Sequence, residues 1–177
     1  MKVILVIGGS LGARSINRAV MAGLQLLDEG DVKLIWQCGK YYYDEARTSL
    51  DEISAGRVVL RQFIQRMDMA YRAADLVVAR AGAITISELS HAGKPVILIP
   101  SPNVAEDHQT RNAQALVKEG AALYIPDHEA ESGMISAALD LLGDEEKQAG
   151  LSKNIKSLAI PDSGGRIAEE IISLMKE

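Results

Sequence analysis

The sequence predicts an α/β fold, a Rossmann-like doubly wound parallel sheet of about six strands, from three observations. Short apolar runs alternate with longer amphipathic ones along most of the chain. The apolar runs are continuous rather than alternating, as suits central parallel strands covered on both faces. Glycine-bearing turns separate strand-like from helix-like segments, and parallel neighbours require such crossover helices.

The strand candidates are Val3–Ile7, Lys33–Cys38, Arg57–Leu60, Leu76–Ala79, Val96–Pro100 and Ala122–Ile125. The first leads through a glycine turn into Arg14–Leu27, a helix with Ile16, Val20, Leu24 and Leu27 on one stripe. "YYY" at Tyr41–Tyr43 begins another helix, with packing or surface exposure, rather than stacking, as its expected role. After Leu76–Ala79, "ARAGAITISEL" turns into a helix expected to start near Thr85, with Glu88 in its first turn. His108–Gly120 is helical and ends on a glycine stop signal. Beyond Ile125 the strands stop: Glu129–Leu142 and Glu145–Leu158 are helical, Pro161 breaks the chain, and "DSGGRIAEEIISLMKE" adds a last amphipathic helix. There is no repeat, low-complexity tract or linker, so residues 1–177 are expected to form one domain.

Composition narrows the function. With 47% apolar residues the chain reads as globular, and its net charge of −5 argues against a nucleic-acid partner. A single cysteine, Cys38, excludes an internal disulfide framework and reads as a buried strand end with no basic partner nearby. No apolar run reaches transmembrane length, and "MKVILVIGG" lacks the features of a signal peptide, so a cytoplasmic location is expected. No DxD-type motif or His/Cys cluster suggests a metal; Asp127, His128 and Glu129 read as a solvated loop.

Three turns carry the candidate chemistry, all expected at carboxyl ends of parallel strands, where open α/β sheets bind ligands. In "VILVIGGSLGARSINRAV", Gly8 and Gly9 allow close approach to the backbone, Ser10 offers a hydroxyl, and the following helix start favours phosphate. The spacing is neither GxGxxG nor a P-loop. In the second turn, Gly82 and Ala83 clear the helix mouth, and Thr85 is an N-cap or a phosphate-contacting hydroxyl. "TISE" also matches a capping box, in which Glu88 would cap its own helix. In the other reading, Glu88 accepts hydrogen bonds from the two hydroxyls of a ribose. In the third, "SPNVAEDHQTRNA", His108, Gln109 and Asn112 lie at or near a helix start, with the Gln109 amide suited to sugar hydroxyls. Arg14 and Arg80 are candidate phosphate partners, Arg80 equally a loop brace; His91 reads as structural.

Taken together, "GGSLGA", "FIQRM", "ARAGAITISEL", "GKPVILIPSP" and "DHQTRNAQALVKEGAA" resemble, in order and spacing, the C-terminal half of the MurG family of GT-B glycosyltransferases, glycosyltransferase family 28. The resemblance spans essentially the whole chain. It implies the donor-binding domain of an inverting UDP-N-acetylglucosamine transferase making lipid II, with the lipid-linked acceptor and the catalytic base in an N-terminal domain lacking here. By resemblance, Ser10 touches the donor diphosphate and Ile64 of "FIQRM" reads uracil through its main chain. Ala83, Ile84 and Thr85 form the diphosphate-binding helix start, Glu88 binds ribose, and Gln109 holds the transferred sugar. Gly9, Gly82, His108 and Asn112 are further candidates; at His108 the family often has glutamine. The resemblance implies no cofactor and no metal, and a full-length enzyme peripheral on the cytoplasmic side of the membrane. The isolated half, cut at a domain boundary or naturally split, is expected to be inactive alone. One alternative is the catalytic subunit of a two-chain enzyme like the dolichol-pathway pair. Another is a nucleotide-sugar binding module without a transferase partner.

Overall fold

The computed structural model describes residues 1–29, 31–51 and 56–175. In chain order it contains β1 (Lys2–Ile7), α1 (Arg14–Ala22), α2 (Leu24–Glu29), β2 (Val32–Gln37), α3 (Tyr43–Asp51) and β3 (Val58–Arg61). These are followed by α4 (Met67–Ala73), β4 (Leu76–Ala79), α5 (Ala83–Ala92), β5 (Val96–Leu98), α6 (His108–Lys118) and β6 (Leu123–Tyr124). Three helices close the chain: α7 (Ala130–Gly143), α8 (Glu145–Ser157) and α9 (Ser163–Leu174).

The strands form one parallel sheet in the order β3-β2-β1-β4-β5-β6. Successive residues of a strand point to opposite faces, and both faces are apolar because both are covered. Ile4, Val6 and Trp36 join α1, α2 and α7 in one core; Leu5, Ile7 and Val77 join Leu89 of α5, Ala113 of α6 and Ile155 of α8 in the other. The chain first winds outward from β1 to β3, then returns to β4 and winds the other way. Neighbours β1 and β4 are therefore the switch point, where open sheets leave a crevice. Ile7 pairs with both Gln37 and Ala79, and Ala79 with Leu98, so the carboxyl ends of the central strands are level.

The expected elements all appear, with shifted ends. The Arg14–Leu27 helix is broken at Gly23, where a Cβ would lie 2.8 Å from that of Ile135 in α7; α1 thus stops where α7 crosses. Leu24 and Leu27 still reach the core, from α2. β5 ends at Leu98, although the Ile99 amide still donates to Ala79 O before Pro100 removes the next donor. The tyrosine run opens with a 3₁₀ turn at Lys40–Tyr42 before α3. Cys38 follows β2, is buried as expected, and has its thiol pKa raised by that burial. α9 is amphipathic, but none of its residues is buried, and the final two residues of the expected helix lie outside the described ones. Among the described residues no helix is long and apolar enough to cross a membrane.

Candidate functional site

The turn after β1 lies against the end of β2. The Gly8 amide donates to Gln37 O (2.8 Å) and the Lys40 amide to Ser10 O (3.1 Å), pinning the turn at both ends. A Cβ on Gly8 would sit 2.9 Å from Gln37 O, and one on Gly12 would strike the Tyr42 ring and Cys38 O. Gly12 and Gly39 approach backbone to backbone, both with positive φ. These glycines thus close the turn onto its neighbour. Gly9 differs: it has φ +77° with open space beside it, and Ser10 next to it is exposed. Ala13 is the N-cap of α1, which has no side-chain cap and no acid in its first turn. The buried Asn17 anchors it from below, accepting from Trp36 Nε1 (2.9 Å) and donating to Cys38 O (2.8 Å).

The turn after β4 has a rigid rear and an open front. Arg80 donates from Nη1 to Ile99 O and Pro100 O (both 3.0 Å) and to Asp127, and from Nη2 to Ser15 Oγ (3.1 Å). The guanidinium ties the β4, β5 and α1 ends to the segment before α7, which is the bracing role, and it also lines the polar cavity beside the first turn. Asp127 is correspondingly half-buried and paired rather than a freely solvated loop residue: its side chain is 25% exposed, whereas His128 and Glu129 are 81% and 60% exposed. In front, Gly82 is the N-cap of α5, again without a side-chain cap or an acid in the first turn. The helix starts two residues earlier than expected because the Gly82 carbonyl already accepts from the Ile86 amide (2.9 Å). Thr85 is therefore inside the first turn and is not the cap. Ala83 and Ile84 are exposed.

Glu88 lies in the second turn of α5 rather than the first, and it does not fold back to cap. Its Oε2 accepts from the Tyr71 hydroxyl of α4 (2.9 Å), across the groove between the two helices. That groove, about 470 Å³, is lined by Met67, Tyr71 and Glu88 together with Arg72, His91 and Lys94. Burial above all, then the Glu88 charge and hydrogen bond, raises the Tyr71 phenol pKa, keeping it a donor. His91, expected to be structural, is exposed and contacts Ser87 O through Nδ1 (2.9 Å).

The third turn supplies Gln109, whose Oε1 accepts from the Ser101 amide (2.9 Å). Its Nε2 remains the donor it can offer a ligand. Asn112 instead donates to Ala81 O (3.1 Å), bracing the turn before α5, and exposed His108 contacts Ala105 O through Nδ1. Gln109 lines a polar cavity of about 690 Å³ together with Gly8, Gly12, Arg14, Arg18 and Ser101. Ile64 borders a third recess with Arg61, Phe63 and Gln65, and its amide donates to buried Gln37 Oε1 (3.0 Å). Gln109 and the glycine turn thus share one cavity. Glu88 and Ile64 occupy two others, in the β3–α4–α5 region. Among the described residues no group of three His, Cys, Asp or Glu could hold a metal.

Sequence reasoning missed Tyr71, Gln37 and Asp127. Tyr71 reads as an ordinary apolar residue of α4; only the shared groove reveals what its hydroxyl meets.

The sequence and the fold have known counterparts. The model of the glycosyltransferase family 28 C-terminal domain matches residues 3–164. A UDP-N-acetylglucosamine–N-acetylmuramyl-(pentapeptide) pyrophosphoryl-undecaprenol N-acetylglucosamine transferase of Parabacteroides distasonis is 51% identical over 174 residues, covering 98% of this chain and 47% of that protein. The like-named protein of Bacteroides fragilis is 50% identical over 180 residues, covering 99% and 47%. The crystal structure of Acinetobacter baumannii MurG superposes with a TM-score of 0.82 at 27% identity, covering 96% of this chain and 49% of that one. The chain thus spans about half the length of the relatives it matches. On its sequence and its fold alike, the chain belongs to the glycosyltransferase family 28 C-terminal domain family.

Proposed function

We propose that this chain is the donor-binding half of an inverting transferase. It would move N-acetylglucosamine from UDP-N-acetylglucosamine to the C4 hydroxyl of N-acetylmuramic acid on an undecaprenyl-pyrophosphoryl acceptor. The observation that carries the reading is the pair of helix starts, α1 and α5, flanking the switch between β1 and β4. Neither has a side-chain cap or an acid in its first turn. Unpaired amides at two helix mouths favour a diphosphate.

In this reading the diphosphate lies between Ser10 and the amides of Ala83, Ile84 and Thr85, with Gly9 and Gly82 permitting its approach. Glu88 accepts from the ribose hydroxyls. Uracil lies beside Ile64, whose carbonyl accepts from the base while its amide keeps Gln37. Gln109 donates from Nε2 to the transferred sugar, His108 stands at the rim, and Asn112 supports the α5 turn rather than touching ligand. The acceptor oxygen attacks the anomeric carbon, the bond to the β-phosphate oxygen breaks with inversion, and the hydroxyl proton passes to a base outside this domain. The leaving diphosphate gains charge, which amides already aimed at it stabilise without reorganisation. No divalent cation is needed for that. The base, the acceptor site and the peripheral contact with the cytoplasmic membrane face belong to an N-terminal half, without which no transfer occurs.

Calorimetric titration in the presence of a chelator tests the reading: UDP binds in the micromolar to millimolar range, and a flat trace overturns it. Glu88→Ala weakens UDP by about tenfold or more and leaves 2′,3′-dideoxy-UDP nearly unchanged. Equal losses for both remove the ribose role. Transfer on adding a separately supplied N-terminal half separates a transferase domain from a pure binding module.

A further inference from the structure

We infer that Tyr71 is a positioning residue for sugar recognition, its phenol holding Oε2 of Glu88 so that Oε1 is kept for the vicinal hydroxyls of the nucleotide's ribose. The inference rests on the reading of Glu88 given above and adds a residue to it. Glu88 is an exposed side chain in mid-helix, and an exposed glutamate samples many rotamers that binding would have to freeze. Two cations, Arg72 and Lys94, share its groove with the imidazole of His91. Among the described residues, Glu88 forms an ion pair with none of them, and its one side-chain hydrogen bond comes from Tyr71.

Tyr71 suits the task. Tyr71 is 6% exposed and packed in the core with Ala70, Ala74 and Leu89, so the hydroxyl stands at a fixed height above the α4–α5 seam. A buried ring with two torsions orients its partner at little entropic cost of its own. A carboxylate offers about four acceptor sites. With one taken by the phenol, the others still accept both hydroxyls of a ribose, now from an oriented group.

Calorimetry on the 177-residue chain with two ligands, UDP and 2′,3′-dideoxy-UDP, tests this, with Tyr71→Phe and Glu88→Gln compared. Tyr71→Phe keeps the ring and is expected to weaken UDP about three- to tenfold while leaving the dideoxy ligand within about twofold. A purely structural role for Tyr71 would weaken both ligands alike; that result, or no change in either, overturns the inference. If Tyr71→Phe does not fold, 3-fluorotyrosine placed at position 71 replaces it: its fluorine resonance moves with UDP and not with the dideoxy ligand. A resonance that moves equally with both, or with neither, overturns the inference. The underlying reading fails separately. It falls if the unaltered chain does not bind UDP, or if Glu88→Gln weakens the two ligands equally. A ribose-selective loss in Glu88→Gln beside an indifferent Tyr71 sinks the positioning role alone.

Discussion

The β1–α1 and β4–α5 turns share a plan: a buried strand, a glycine, and a helix that begins without a side-chain cap. Their glycines serve different ends. In the first turn, Gly8 and Gly12 have no room for a side chain, because the neighbouring turn and Tyr42 fill the space, and only Gly9 has open space beside it. In the second, Gly82 has ordinary extended angles (φ −72°, ψ 148°) and meets nothing nearer than Thr85 Oγ1 at 3.8 Å. Read as a string, "GGSLGA" looks like a ligand loop with several glycines for the ligand. In space Gly8 and Gly12 join two turns of the protein, which leaves Gly9 and the exposed Ser10 as the open part of the loop. What a Cβ would touch, rather than how many glycines cluster, separates the two roles.

The largest effect should therefore come from Gly39→Ala, at the partner end of the first turn. Its φ of +81° strains any side chain, and the new Cβ would collide with the Gly12 backbone. Strain and overpacking together should cost about 3 kcal/mol or more. Gly82→Ala should change stability by less than about 1 kcal/mol, with no defined sign. Urea denaturation midpoints of the two variants measure the contrast. Equal destabilisation would end the distinction between a packed and an open turn.

Next comes the brace that joins the two turns. Arg80 is 19% exposed and engages Ser15 beside the first turn together with Asp127 and two carbonyls behind the second. Arg80→Ala should cost about 2–3 kcal/mol, less than a fully buried pair because water still reaches both partners. Arg80→Lys should not restore the loss, since one ammonium cannot span the four acceptors of a planar guanidinium. Chemical denaturation of both variants, beside UDP titration, sharpens the comparison. A lysine variant of full stability with lost UDP affinity would make Arg80 a ligand group instead.

Much of this architecture was legible in the sequence. Continuous apolar runs such as "VILVI" and "LVVA" are strands because a sheet covered on both faces has no polar side to alternate with. The glycine turns follow from the same pattern. What could not be read is long-range. The break at Gly23 depends on Ile135 of α7, and the fate of Arg80 depends on Asp127. The capping-box pattern at Thr85–Glu88 was locally sound, but the helix begins at Ala83 and Tyr71 from another helix takes the carboxylate. Ile64 carries no chemical signal of its own and entered the candidate site only by resemblance, and its bond to Gln37 is invisible without the β2–β3 register.

The smallest expected stability effect is the most discriminating for the second turn. A threonine serving as N-cap would cost about 1 kcal/mol on replacement by alanine. Thr85 is not the cap, and α5 has no side-chain cap at all. Thr85→Ala should then move the unfolding free energy by under about 0.5 kcal/mol, within the range of an ordinary surface substitution. Its ligand effect should be larger: if the hydroxyl assists the diphosphate, UDP weakens several-fold while uridine, which has no phosphate, does not change. A stability loss near the capping value, with UDP and uridine affected alike, would return Thr85 to a structural role. The open turn would then rely on backbone amides alone to hold an anion.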